Sequence, residues 1–227
     1  MKQYVIGDIH GCFATFDTML NKIGLNPSDE LILLGDYIDR GPSSIKVIHK
    51  IMDLKDSGYN LVCLTGNHEQ MMLDAMNGGN KSLWLGNGGQ AVLNELFIEK
   101  VSDIPLEFKT FLEGLKFYHE SNDFIFVHAG LEFGLFTEDP YEDKSSLVWT
   151  RRWEGSTKMR KWLGDRKVVY GHTPQTVNDI NKRFDNFSEK PLLNIDSGCV
   201  FNYDGYNHLC CYDLTEHKLI FQKNCDE

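Results

Sequence analysis

Gly35-Asp36-Tyr37-Ile38-Asp39-Arg40-Gly41-Pro42 follows directly on the apolar run Leu31 to Leu34 and leads into a helical pattern that opens at Pro42. Two carboxylates and a guanidinium between glycines are costly to bury for packing alone, because a buried charge is tolerated only when it is paired or bound to a metal. The stretch therefore reads as a site at the end of a strand. Its glycines let the backbone turn sharply and approach a ligand, and proline suits the first turn of the helix that follows.

Outward from this stretch the same arrangement recurs. Residues 2 to 7 read as a short buried strand ending at Gly7-Asp8-Ile9-His10-Gly11, and Phe13 to Ile23 then has apolar residues at helical spacing. Asn60 to Leu64 is a strand ending at Thr65-Gly66-Asn67-His68-Glu69, with helical patterns before it (Ser43 to Leu54) and after it (Glu69 to Met76). Phe124 to Val127 ends at His128-Ala129-Gly130, and Val168 to Tyr170 ends at Gly171-His172-Thr173-Pro174. Strands alternating with helices imply crossovers and a largely parallel, buried sheet, in which ligands gather at the carboxyl ends of strands. The glycine- and asparagine-rich segment Asn77 to Gln90, around Trp84, reads as a loop that can shape the mouth of a site. Val92 to Ile98 and Leu106 to Leu115 read as helices, and 131 to 146 as acidic and turn-rich. The strands Leu192 to Ile195, His208 to Leu214 and Lys218 to Gln222 make the last quarter β-rich. No repeat or linker divides the chain, so residues 1–227 are read as one domain with two sheets packed on each other and helices outside.

Composition narrows the function classes. A chain of 227 residues with 41% hydrophobic and 25% charged residues can bury a sizeable core. Its formal charge of -10 repels nucleic-acid phosphates and argues against a general DNA or RNA surface. The brief apolar run Tyr4-Val5-Ile6 falls short of a signal peptide, and no stretch reaches membrane-spanning length. Six cysteines without CxxC or zinc-finger spacing read as free thiols in a reducing cytoplasm.

Asp8 and His10 are two apart, so an extended segment projects both to one side, as ligands of one ion require. Asp36 adds a carboxylate able to bridge two cations, Asn67 a neutral oxygen, and His128 and His172 imidazoles. Mixed nitrogen and oxygen donors without thiolate suit Mn, Fe or Zn, and a shared carboxylate suggests two ions about 3.5–4 Å apart. Such a pair can orient a phosphate, acidify a bridging water and stabilise phosphoryl charge.

The motifs GDIHG (7–11), GDYIDRG (35–41), GNHE (66–69), HAG (128–130) and GHTP (171–174) resemble, in order and spacing, those of the PPP phosphoprotein phosphatases within the calcineurin-like metallophosphoesterase superfamily. The short length is similar to that of the compact bacterial and phage members. The resemblance implies an α/β fold, an αββα sandwich of two mixed sheets packed face to face with flanking helices. It implies two divalent metals, expected to be Mn with Fe or Zn as alternatives, one held by Asp8, His10 and Asp36 and the other by Asp36, Asn67, His128 and His172. It further implies His68 as the acid that protonates the leaving alkoxide, Asp39 as its orienting partner, and Arg40, Asn67 and Arg151 as phosphate contacts. Arg151 is chosen from the WxR pattern Trp149-Thr150-Arg151, with Arg152 as competitor.

The expected function is hydrolysis of phosphoserine and phosphothreonine, with phosphotyrosine a further substrate, by direct attack of a metal-bridging hydroxide and without a phosphoenzyme. The expected partners are phosphorylated proteins or peptides, with no nucleic acid or membrane, and the sequence is compatible with a monomer. One alternative is a symmetrical diadenosine tetraphosphatase; those enzymes resemble this chain less, typically lacking the Asp39 equivalent and carrying GNHD in place of GNHE. The other is a non-catalytic module that binds phosphorylated ligands, whose signature would be a missing ligand, acid or arginine.

Overall fold

Strands of four residues, most with at least three consecutive apolar side chains, recur in the computed structural model, which describes residues 1–121, 123–133, 138–151, 153–154 and 157–226. β1 (Gln3–Ile6), β2 (Glu30–Leu33) and β3 (Asn60–Cys63) run parallel, and β8 (His208–Asp213) and β9 (Lys218–Lys223) continue the sheet antiparallel in the order β3-β2-β1-β8-β9. The second sheet has the order β4-β5-β6-β7, from β4 (Tyr118–Ser121), β5 (Phe124–Val127), β6 (Lys167–Tyr170) and β7 (Leu192–Asn194). Only β4 is antiparallel there.

The sheets meet face to face. Val5, Ile32 and Val62 of the first pack in one fully buried cluster with Phe126, Val169 and Leu193 of the second. Each such side chain contributes about 1.5–3 kcal/mol by leaving water. Every second residue of β1 faces this layer, and the alternate residues Tyr4 and Ile6 pack with the helices outside. Those helices are α1 (Phe13–Ile23), α2 (Ser44–Asp56) and α3 (Asn67–Met76), joined by Phe16, Met19, Val47, Ile48 and Met72. The far face of the second sheet is covered by α7 (Lys144–Trp149) and α8 (Thr157–Leu163) through Leu147, Met159 and Leu163. This is the expected αββα sandwich of two mixed sheets.

The segment Asn77 to Gln90 differs from the expected loop. It contains α4 (Lys81–Trp84), a wide helical turn over Leu85–Gly89, and the start of α5 (Gln90–Glu95); α6 (Leu106–Glu113) follows. The glycines here serve close packing as well as turning. A side chain at Gly89 would collide with the Trp84 indole, and one at Gly88 (φ 115°) would press on Arg40. Trp84 is fully buried. α9 (Val177–Asp185) is also unforeseen: Val177, Ile180 and Phe184 recur at helical spacing, yet Ile180 alone of its nine residues is buried.

Candidate metal centre and proton donor

The carboxyl ends of β1, β2, β3, β5 and β6 converge, which brings the five motif loops to one place. The loops turn abruptly. His10, Asp36, Asp39, Arg40 and His172 all have left-handed backbones, with φ of 46°, 50°, 72°, 69° and 70°. Non-glycine residues hold such conformations at about 1–3 kcal/mol each, and only where surroundings enforce them. Here the enforcement is hydrogen bonding between loops: the amides of Ile9 and His10 donate to Asp36 O at 3.0 and 2.8 Å, and Gly11 N donates to Tyr37 O at 2.8 Å. Gly66 and Gly171 are small for another reason. A Cβ on either would strike a carboxylate oxygen, of Asp36 and of Asp8 respectively.

Two groups of donor atoms share the Asp36 carboxylate, His10–Asp36–His68 and Asp36–His128–His172, and all four histidines and Asp36 are buried. Asp36 Oδ2 lies 3.5 Å from His10 Nε2 and 3.5 Å from His128 Nε2. Each of these imidazoles gives its other nitrogen to a backbone carbonyl, His10 Nδ1 to Ile38 O at 2.9 Å and His128 Nδ1 to Leu34 O at 3.0 Å. Nδ1 must then carry the proton, leaving Nε2 with its lone pair toward Asp36. Asn67 Oδ1 completes the second group, 3.2 Å from His128 Nε2 and 2.9 Å from His172 Nδ1.

This donor set fits divalent cations. Acceptors converge with few protons among them, and cis ligands on metal bonds of about 2.0–2.2 Å sit roughly 3 Å apart. Burial holds the His10 and His128 imidazoles below their ordinary pKa, and burial with neighbouring His128 pushes His172 down to about 3, so all three are neutral as ligands must be. Burial, together with Asp196 and Asp36, pushes the Asp8 carboxyl well above the usual range, a repulsion that a cation would relieve. Asp8 lies outside both tight groups. Its oxygens accept the His172 amide at 3.1 and 3.3 Å, tying the first loop to the end of β6.

His68 is held differently. Its Nδ1 is 2.6 Å from Asp39 Oδ2, and its Nε2 is 4.0 Å from Asp36 Oδ2. Trp84 Nε1 donates to both Asp39 oxygens at 3.0 and 3.1 Å, so the aspartate is fixed from two sides. Burial opposes protonation of His68, but the charge of Asp36 and the bond to Asp39 outweigh it and raise its pKa above the ordinary value. A buried imidazole whose protonated form is favoured, with Nε2 facing the shared carboxylate, has the chemistry of a proton donor.

Arg40 is exposed and its Nη1 lies 2.5 Å from His10 Nε2, with the guanidinium 5.6 Å from the centre of the Phe201 ring. Arg151 is also exposed, and its Nη1 donates to Thr173 Oγ1 at 3.1 Å, beside His172. Arg152, its sequence competitor, lies outside the described residues.

Three buried residues were not assigned to the site from sequence. Glu69 accepts the amides of Asp36, Tyr37 and Gly66, all at 2.8 Å, and so clamps the bridging loop. Burial and the Asp36 charge push its carboxyl up to about 8, yet three N–H groups point at its two oxygens and leave the ionised form as the one the geometry fits. The three-residue spacing from Gly66 to Glu69 is the capping-box signal that could have found it. Trp84 gave no such signal. Asp196 follows β7 as the other motifs follow their strands, and its buried side chain stands beside Asp8.

A family model described as Metallophos, calcineurin-like phosphoesterase, matches residues 1–211. The asymmetrical bis(5'-nucleosyl)-tetraphosphatase PrpE of Bacillus mycoides (strain KBAB4) is 29% identical over 233 residues, covering 88% of this chain and 87% of that protein. The cold-active protein-tyrosine phosphatase of a psychrophilic Shewanella superposes with a TM-score of 0.65 at 16% identity, covering 98% of this chain and 80% of that one. A Saccharomyces cerevisiae protein serine/threonine phosphatase with similarity to human phosphatase PP5 gives 0.63 at 17% identity, over 100% and 81%. At these identities the structural likeness is one of fold.

Proposed function

The chain belongs to the calcineurin-like phosphoesterase family, and from that membership we propose that it is a metal-dependent phosphoprotein phosphatase, acting on phosphorylated Ser, Thr and Tyr side chains. The observation that carries this reading is the 2.6 Å contact of His68 with Asp39, a proton donor set beside the metal ligands. An alkoxide leaving group needs a proton, and a nucleotide that leaves through a phosphate oxygen when a phosphoanhydride breaks does not.

Asp8, His10 and Asp36 would hold one cation and Asp36, Asn67, His128 and His172 the other. When bound, the two cations supply Lewis-acid stabilisation of phosphoryl charge and lower the pKa of water. The protein does the rest. Arg40 and Arg151, both exposed at the rim, grip the phosphate oxygens, aided by the Asn67 amide. His68 gives its Nε2 proton to the ester oxygen as the bond to phosphorus breaks, while Asp39 keeps the charged ring oriented.

Cleavage of dinucleoside tetraphosphates is a second reading, favoured by the PrpE match across 88% of the chain. That name specifies asymmetrical cleavage, whereas the sequence motifs weigh only against the symmetrical type. The test is kcat/KM on phosphoserine, phosphothreonine and phosphotyrosine peptides against diadenosine tetraphosphate, at matched Mn occupancy. Higher values for the peptides are expected. Turnover of the dinucleotide alone would replace the first reading by the second.

A further inference from the structure

The segment after β7 places an unusual pair of rings at the mouth of the site. Phe201 lies under the Arg40 guanidinium at 5.6 Å, and Tyr203 stacks on Phe201 with ring centres 6.3 Å apart and an angle of 18° between planes. The ladder runs from metal ligand to solvent: His10 Nε2, Arg40, Phe201, Tyr203. Its outermost member is 71% exposed. An aromatic ring in that state gains little from packing, and its large apolar surface is left uncovered at the entrance.

The ladder begins at the metal ligand that neighbours the proton donor. His68, the proton donor, has its ring centre 4.8 Å from that of His10, which is the residue Arg40 contacts. A phosphate held by Arg40 with its ester oxygen toward His68 would have Phe201, and Tyr203 beyond it, beside the guanidinium that grips it. By contrast, Trp149 stands at the other triad, edge-on to His172 at 6.4 Å.

We propose that Phe201 and Tyr203 form a stacking platform that selects substrates bearing a flat aromatic ring near the phosphoryl group. The inference rests on the reading of the site as a phosphoric-ester hydrolase and sharpens it toward ring-bearing substrates over phosphoserine. Two ligands present this chemistry, the phenol ring of a phosphotyrosine and the purine of a dinucleoside polyphosphate. Tyr203 is the specificity-determining residue and takes no part in the bond-breaking step.

The experiment uses the full chain with measured Mn content, as wild type, Tyr203→Ala and Tyr203→Phe. Substrates are one peptide sequence carrying phosphotyrosine or phosphoserine, and diadenosine tetraphosphate. Tyr203→Ala is expected to lower kcat/KM for a ring-bearing substrate about tenfold relative to the phosphoserine peptide, through KM, and Tyr203→Phe to restore it. Loss confined to the phosphotyrosine peptide or to the dinucleotide identifies the source of the ring. An unchanged ratio for both overturns the platform. Absence of turnover on all three substrates with both metals bound would refute the hydrolase reading instead; the platform is then judged by calorimetric affinity for free phosphotyrosine against phosphoserine, where Tyr203→Ala must erase a preference for the former.

Discussion

Asp39→Asn separates proton donation from metal binding. In the native site Asp39 Oδ2 takes the Nδ1–H of His68 at 2.6 Å, so Nε2 carries a proton only when the ring is an imidazolium. Asparagine keeps the shape and can still accept the Trp84 indole N–H on its oxygen, but it then presents an NH2 group to Nδ1. The ring responds by becoming neutral, with Nδ1 as acceptor and its single proton on Nε2. That proton is far less acidic. A charge-assisted bond worth about 1.5–3 kcal/mol disappears with the imidazolium, and general-acid catalysis of about 10²–10⁴-fold is forfeited on substrates that need it. Asp39 belongs to neither triad, so metal content should not change. The assay is kcat on a phosphoserine peptide and on p-nitrophenyl phosphate, whose phenolate leaves without help, with metal quantified in each preparation. A loss of about 100-fold or more on the peptide and under tenfold on the aryl ester is expected. Equal losses on both substrates, or loss of a metal, would refute the role given to His68 and Asp39.

Other consequences are accessible with simpler measurements. Glu69→Gln can keep its carbonyl oxygen toward Asp36 N and Gly66 N, but it turns an amide toward Tyr37 N and leaves a buried donor unpaired, costing about 3 kcal/mol. In calorimetry this should lower Tm by about 6–12 °C. Trp84→Phe removes the indole donor to Asp39 while filling most of the space, and should reduce peptide turnover several-fold with metal content intact. The raised pKa of His68 fixes a sign: the protonated acid is present at low pH and is lost as pH rises through the folded value, so kcat on alkyl esters should fall on a basic limb above the ordinary histidine value of about 6.5. The same ionisation stabilises the fold below the unfolded pKa and ceases to do so above the folded one. Cations on Asp36 offset its charge, leaving Asp39 to carry the shift in the loaded protein, and Asp39→Asn should abolish the limb.

The sandwich and most of the site were legible because the strands that carry the motifs are short apolar runs followed within three residues by a glycine or a histidine. Gln3–Ile6 and Phe124–Val127 end where the apolar run ends, and the ligands begin within the next two residues. Helical period marked Phe13–Ile23 to the residue. The parts that escaped depend on contacts between distant segments. Glycines at 86, 88 and 89 read as turn formers, yet Gly88 and Gly89 are small because Arg40 and Trp84 press on them. The anchoring of Asp39 by Trp84 spans 45 residues, and two of the three amides that Glu69 accepts, those of Asp36 and Tyr37, lie 33 and 32 residues away. β4 pairs with β5 as an edge strand of alternating half-buried and exposed residues, so it lacks an apolar run. The first helix shows the same limit: its opening amides, Ala14 N and Thr15 N, are capped by Asp226 at 2.8 and 2.9 Å, from the other end of the chain.

On the proposed reading, Asp36 joins two cation sites into one centre. Calorimetric titration of metal-stripped protein with Mn, checked by elemental analysis after desalting, measures this directly. Two ions per chain are predicted for the wild type, with Asp36→Asn weakening both and retaining at most one after desalting, and His128→Ala removing one. A single ion in the wild type, or two ions retained by Asp36→Asn, would contradict the account.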